Sequence, residues 1–536
     1  MSAAYPRLTR WFSVENLFIL IFILTFLLRF LFLDLKLFHH DESIHAWFSY
    51  DLLTKGSYTY DPMYHGPFLY YVTAGMFYLF GQSDLVARIL PALFGALLVP
   101  LVYAIYRLGY LDARQGLVAA AFVAVSPDLV YFSRFLRHDI FQLFFTLLIV
   151  VALLYYLERK KLWFALVAGL AVGGGMTLKE DMPLFLVILI TFAIFLWWRR
   201  KIHLPPTWKR DLILGLVVAG AIIVAFYSSF GGQWEILYTG LIKAWNHWTA
   251  MHEACRICGP PYFYILLLLL YEVPIFILAI FGIMQFIDRH NPFPGWIEKI
   301  REYRNREPAK TFEIDEVTGK NAGHGNVPWD KKELFFAFSI WWMVVTMAAY
   351  AYIGEKVPWL IIHQLLPMIF VAVYLMTPNK TIVAVIGIIF LLFMTWHVAF
   401  TPGDINEPIV QVQNSEELRE VMAQIDNSSV VMIASKDYWP LPWYYRGDKW
   451  DKMKFYGQIV DQTTIEQVNP DMIITHDLES YPCLPGYDKA TYKLSYWFSI
   501  YDQESRLPEY YFQRDGKLGS INIDVFTRNA SATGCY

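Results

Sequence analysis

Long apolar runs alternate with short charged turns along most of this chain. The first run, 17–37, is long enough to cross a hydrocarbon core about 30 Å thick. Comparable runs follow at 89–106, 116–130, 140–157, 162–178, 182–198, 212–230, 262–286, 334–353, 357–376 and 382–399. The pattern predicts about eleven membrane-spanning helices. Residues 68–80, rich in Tyr and Phe, are too short to span comfortably and predict a helix lying in the interface. The pattern changes near Thr401. Helical spacing appears at 415–425, with Ser415 as N-cap, and strand-like runs follow at 430–433, 454–456 and 471–475. Two domains result: an all-α polytopic membrane domain over 1–400 and a small soluble α/β domain over 401–536.

Composition fits this division. The chain is 56% apolar, 18% aromatic and only 17% charged, against roughly 25% charged in soluble domains. With 44 basic and 47 acidic residues, nothing points to nucleic acid. Arg7 and Arg10 precede the first run, which is too long for a signal-peptide core, so it reads as a retained helix. Basic residues favour the cytoplasmic side. They cluster at Arg107 and Arg114, at 158–161, at 199–201 with Lys209 and Arg210, within 288–333 and at Lys380, which are every second turn. This sets the N-terminus inside and the C-terminal domain outside a multi-pass cell-membrane protein. Asn427 and Asn529 head glycosylation-acceptor triplets on the outside, but Asn379 heads one inside, so the pattern weighs little.

The same tracing sends five titratable clusters to the outer face. They are His39-His40-Asp41-Glu42, His65, Arg134 through Asp139, Lys179-Glu180-Asp181, and Glu355-Lys356. Ionisable groups near membrane depth are costly and are usually paired or functional. The set predicts one shared polar cavity; the plainer alternative is ordinary polar helix ends. Four cysteines, Cys255, Cys258, Cys483 and Cys535, also fall outside, where disulfides persist. Cys255 and Cys258 with His252 could instead hold a metal. The aromatic stretch 439–445 suits a packed core face or a sugar or lipid site.

Several motifs occur in a telling order. Asp41-Glu42 ends the first helix, and His65-Gly66-Pro67-Phe68-Leu69 opens the short aromatic helix. Arg88-Ile89-Leu90-Pro91-Ala92-Leu93-Phe94-Gly95-Ala96, Ser133-Arg134 through Asp139, and Glu355-Lys356-Val357-Pro358-Trp359 follow. In this order the chain resembles the GT-C superfamily of polytopic glycosyltransferases, in the branch of protein O-mannosyltransferases and aminoarabinose transferases. Within that branch it is most similar to archaeal "flippase activity-associated" proteins of N-glycosylation clusters.

The resemblance implies inverting transfer of a sugar from a polyprenyl-phosphate donor to a glycan or protein acceptor at the outer face of the bilayer. A flippase, or a flippase accessory without transfer chemistry, is the alternative. An ion-coupled transporter ranks last, because the charges gather at one face. The reaction needs cations for the leaving phosphate. Arg134, Arg137, Lys179 and Lys356 supply them, with His65, His138 and Glu355 as further substrate contacts. It also needs a base for the acceptor hydroxyl. Asp41 is the first candidate, with Glu42 or Asp139 orienting it. Asp41, His65 and Asp139 form a candidate set for a divalent metal ion.

Overall fold

The computed structural model of the chain describes residues 13–56, 58–199, 204–254, 259–290, 330–497, 507–514 and 518–529. Arg7, Arg10, Arg200, Lys201, Cys255, Cys258, Cys535 and most of the basic segment 288–333 lie outside these. Cys483 is disulfide-bonded.

Every predicted apolar run is helical, but not every one is long enough to span. Among the described residues seven helices have the length and composition to cross a membrane, or eight counting Ala113–Val125 with Pro127–Ser133, a pair bent by 54°. The expected eleven is therefore not met by length. The shortfall has local causes. The helix Val14–Phe30 stops early, and the carbonyls of Leu28, Arg29, Leu31 and Phe32 are taken by the Arg134 guanidinium. Leu162–Met176 has 15 residues, because Thr177 and Leu178 give their carbonyls to the 66–68 backbone instead. Ile361–Ala372 has 12 residues, preceded by the 3-10 turn Pro358–Leu360. The run 262–286 breaks at Glu272 into Phe263–Tyr271 and Val273–His290, of which the second is still long enough to span.

Lipid-facing surfaces are visible as apolar stripes. On Pro378–Ala399, Ile382, Ile386, Ile389, Phe393 and Trp396 are exposed, while Ala384, Gly387, Leu391, Met394 and Val398 are buried on the opposite face. Such a stripe suits contact with hydrocarbon, where exposed apolar side chains cost nothing. Leu162–Met176 and Trp208–Tyr227 cross closely: a Cβ on Gly169 would come within 2.1 Å of the Gly215 carbonyl oxygen. Small residues at such crossings let backbones approach where no hydrophobic effect drives them together.

The C-terminal domain is a five-stranded sheet in the order β2-β1-β3-β5-β4, with β1 Val431–Ala434, β2 Met453–Phe455, β3 Met472–His476, β4 Tyr487–Tyr496 and β5 Ser520–Arg528. β1 pairs in parallel with β2 and β3, and β5 runs antiparallel to β3 and β4. Alternate residues serve opposite faces. Ile433, Ile474 and Val525 pack with Leu418, Val421 and Ile425, whereas Met432, Ile473 and Phe526 pack with Ile465. The first helix of this domain is Leu418–Asp426 with Glu417 at its N-cap, so Ser415 is not the cap. Its Oγ accepts from the Glu417 N–H in the preceding turn instead.

The aromatic stretch docks this domain on the membrane domain. Trp443 is fully buried, stacks on Phe77, and donates from Nε1 to Asp84 at 2.8 Å. Tyr444 donates to the other Asp84 oxygen at 2.8 Å and accepts from the Phe38 N–H. Just before the sheet, Gln413 and Asn414 donate to the Leu37 and Phe38 carbonyls. The C-terminal domain thereby fixes the segment that carries Asp41.

Candidate functional site

Asp41 stands in the first turn of the helix His40–Lys55. His39 caps that helix: its Nδ1 accepts from the Asp41 N–H at 3.0 Å, and its Nε2 faces the Gln411 carbonyl at 2.7 Å. Burial pushes the His39 imidazole down to about 3, so it is neutral and acts as a spacer. Glu42 completes the capping box by accepting from the His39 N–H. It also receives Arg88 Nε at 2.8 Å and Nη2 at 2.6 Å, and the Leu136 N–H at 2.8 Å. At 1% exposure, Glu42 is walled in by donors. Its neighbour in sequence points elsewhere. The Asp41 carboxylate is 25% exposed and pairs with Arg137. Burial acts to raise its pKa, but the Arg137 guanidinium, together with smaller contributions from the neighbouring imidazoles, outweighs this and holds it well below the usual carboxylate range.

From Asp41 a chain of alternating charge runs inward. Arg137 Nε bonds Asp139 Oδ2 at 3.0 Å, and Lys179 Nζ bonds Asp139 Oδ1 at 2.7 Å. Lys179 lies 3.6 Å from Asp181 Oδ2. The Arg137 guanidinium also lies 3.7 Å from the centre of the Trp359 ring. These groups come from helix ends: His138–Arg159 and Asp181–Trp198 begin here, and Trp359 precedes Ile361–Ala372.

A second line runs beside the first. His65 Nδ1 faces Glu180 Oε2 at 2.9 Å, and the His65 ring stacks on Trp248 at 5.4 Å. Gly66 explains the position. Its N–H donates to the Leu178 carbonyl at 2.8 Å, and a Cβ there would come within 2.2 Å of the Thr177 oxygen. Only glycine lets this strip lie on residues 177–178, which sets His65 against Glu180. His138 Nε2 donates to the Gly66 carbonyl at 3.2 Å. His45 Nδ1 donates to the Tyr70 hydroxyl at 2.9 Å, and that hydroxyl donates to the Tyr64 carbonyl. Burial, reinforced by Arg137, lowers the His45 imidazole to about 3.

The expected residues therefore divide. Asp41, Arg137, Asp139 and Lys179 form one linked cluster, with His65 and His138 alongside. Glu42 is an anchor for the loop and for Arg88. Arg134 is spent on the end of Val14–Phe30. Lys356 turns back onto the Tyr350, Ala351 and Ile353 carbonyls at the end of Lys331–Tyr352, and burial lowers its ammonium. Glu355 is half-buried in the turn before it. The candidate metal set is regrouped. Asp41 is paired with Arg137 and His65 with Glu180, and the ligating atoms that converge belong to Asp139, Asp181 and His363. His363 carried no signal beyond being an ionisable residue in an apolar run. Glu180, Asp181 and Trp248 were legible only as neighbours of better candidates.

Comparison with known proteins agrees with this architecture. Residues 64–225 match the family model described as dolichyl-phosphate-mannose-protein mannosyltransferase, a stretch that includes His65, Arg137, Asp139 and Lys179 but not Asp41. No curated protein matches the chain. Among solved structures it is similar to ArnT from Cupriavidus metallidurans bound to undecaprenyl phosphate. That match has a TM-score of 0.54 at 13% identity, over 96% of this chain and 98% of that one. The apo state of ArnT matches with a TM-score of 0.57 at 13% identity, over 97% and 100% of the two chains. The oligosaccharyltransferase AglB from Archaeoglobus fulgidus, in complex with an inhibitory peptide and a dolichol-phosphate, matches with a TM-score of 0.53. Its identity is 12%, over 87% of this chain and 70% of that one. The chain has the GT-C fold.

Proposed function

We propose that this GT-C-fold chain is a membrane glycosyltransferase. It moves a sugar from a polyprenyl-phosphate donor to a glycan or protein acceptor at the outer face of the membrane. The observation that carries the reading is the pairing of a partly exposed Asp41 with Arg137, at the open end of an otherwise buried charge chain. The two solved relatives that hold a lipid phosphate support a donor of that class.

Asp41 takes the proton of the acceptor hydroxyl as its oxygen attacks the anomeric carbon. The bond from that carbon to the phosphate oxygen breaks on the opposite side, inverting the centre, and lipid phosphate leaves. Arg137 is the cation for the phosphate, backed by Trp359 and held in direction by Asp139. While paired with Arg137, Asp41 is a weak base. A donor phosphate drawing on the same guanidinium loosens that pair and makes Asp41 more basic when the acceptor needs it. Arg134 and Lys356, both engaged with backbone carbonyls, act by shaping the helix ends.

The test uses purified full chain in vesicles supplied with labelled polyprenyl-phosphate sugar and candidate acceptors. Label appearing on an acceptor, with release of lipid phosphate, is expected. Label that crosses the bilayer while still on its lipid, with no transfer, would replace this reading with a flippase.

A further inference from the structure

Asp139, Asp181 and His363 reach one point from three separate elements, and their ligating atoms lie within 4.8 Å of one another. His363 Nε2 is 3.5 Å from Asp139 Oδ1 and 3.6 Å from Asp181 Oδ2. Around a tetrahedral ion with bonds of about 2.1 Å, neighbouring ligand atoms stand about 3.4 Å apart. Both His363 distances sit close to that edge. The His363 side chain is only 8% exposed, yet its Nε2 has no hydrogen-bond partner among the described residues. Neither has Asp181 Oδ2. A buried imidazole nitrogen aimed between two carboxylates, without a bond of normal length to either, costs free energy unless something else satisfies it. The adjoining cavity is lined by Gln142, Thr146, Thr346 and Tyr350, and the Thr346 hydroxyl there is also unpartnered.

We propose that Asp139, Asp181 and His363 bind a divalent first-row transition metal ion such as Mn²⁺ or Zn²⁺. The ligand set decides the class. One imidazole with two carboxylates favours these ions over Mg²⁺ or Ca²⁺, which prefer all-oxygen shells. Three protein ligands leave a position open, the pattern of sites that also take water or substrate. Asp139 ties the site to the charge chain, since its other oxygen holds Arg137.

Lys179 competes for the same place. Its ammonium lies 2.7 Å from Asp139 Oδ1 and 3.6 Å from Asp181 Oδ2, the two oxygens the metal would use. An ammonium and a dication cannot share them, so metal entry turns Lys179 outward and frees it for an anion. The site thus has two cationic states, one internal and one metal-bound.

The inference stands apart from the transfer reaction, because metal binding is read without donor or acceptor. Metal-stripped full chain in detergent is titrated with Co²⁺, read by visible absorption, and with Mn²⁺, read by electron paramagnetic resonance. One saturable site is expected in the native chain. Asp181→Asn and His363→Gln should each lose it while the chain stays monodisperse. Lys179→Gln should bind about tenfold or more tightly, since a nearby positive charge is removed. No saturable binding overturns the proposal. Binding unchanged in both Asp181→Asn and His363→Gln also overturns it, and unaltered affinity in Lys179→Gln overturns the competition.

Discussion

Glu42 lies next to the proposed base in sequence but is built for another purpose, and Glu42→Gln separates the two. All four of its hydrogen-bond partners are donors: Arg88 Nε, Arg88 Nη2, the Leu136 N–H and the His39 N–H. A glutamine keeps one oxygen to accept, and its amide nitrogen must face donors on the other side. About two donors are left without an acceptor, one of them on a guanidinium that is 3% exposed. Buried unsatisfied donors cost about 1–3 kcal/mol each, and breaking a buried ion pair costs about 3–5 kcal/mol. The expected loss is thus about 3–5 kcal/mol, on the order of 5 °C in Tm for so large a chain. Thermal unfolding of the full chain in detergent measures it. The double variant Glu42→Gln with Arg88→Met should recover part of the loss, because no uncompensated charge stays buried. A Glu42→Gln protein of native Tm that has lost only transfer activity would refute the anchoring role and return Glu42 to the chemistry.

Three further outcomes follow from contacts already described. Arg137→Gln removes the largest charge that depresses Asp41, so that burial raises its pKa. The acid limb of the transfer-rate profile should then move to higher pH, whatever the change in rate, and an unmoved limb would dissociate Arg137 from the base. In the native chain the same depression contributes stability above the ordinary carboxylate range, near about pH 4, and that contribution is lost as pH falls below it. Trp443→Ala empties a fully buried site against Phe77 and removes the bond to Asp84. A loss of about 3–5 kcal/mol is expected, with faster proteolysis between the two domains; unchanged cleavage would mean the docking contacts carry little.

Hydrophobic run length made the helices legible, because burial in lipid imposes it on the sequence directly. The positions where helices stop were not legible. Val14–Phe30 ends where Arg134, more than a hundred residues away, takes its last carbonyls. Residues that look alike in sequence separated in space for a similar reason. Asp41 and Glu42 occupy adjacent steps of one helix turn, so they project about 100° apart, one toward Arg137 and one toward Arg88. Arg134 and Arg137 diverge because they lie at opposite ends of the non-helical turn between Pro127–Ser133 and His138–Arg159. The strands β1 and β3 stood out by their apolar runs, whereas β4, exposed or half-buried until its last three residues, carried too little pattern to find. His363 was hidden because one histidine in an apolar helix is usually a packed one, and only the meeting of three helix ends gives it carboxylate neighbours.

The central claim is that Asp41 accepts the acceptor's proton, and Asp41→Asn tests it most directly. Asparagine keeps the size of the side chain and removes its basicity. Transfer from polyprenyl-phosphate sugar in vesicles should fall by about 10²–10⁴-fold, with the chain still folded, Tm lowered only by loss of the Arg137 pair, and lipid-phosphate binding retained. Native transfer rates in a well-folded Asp41→Asn protein would contradict the account.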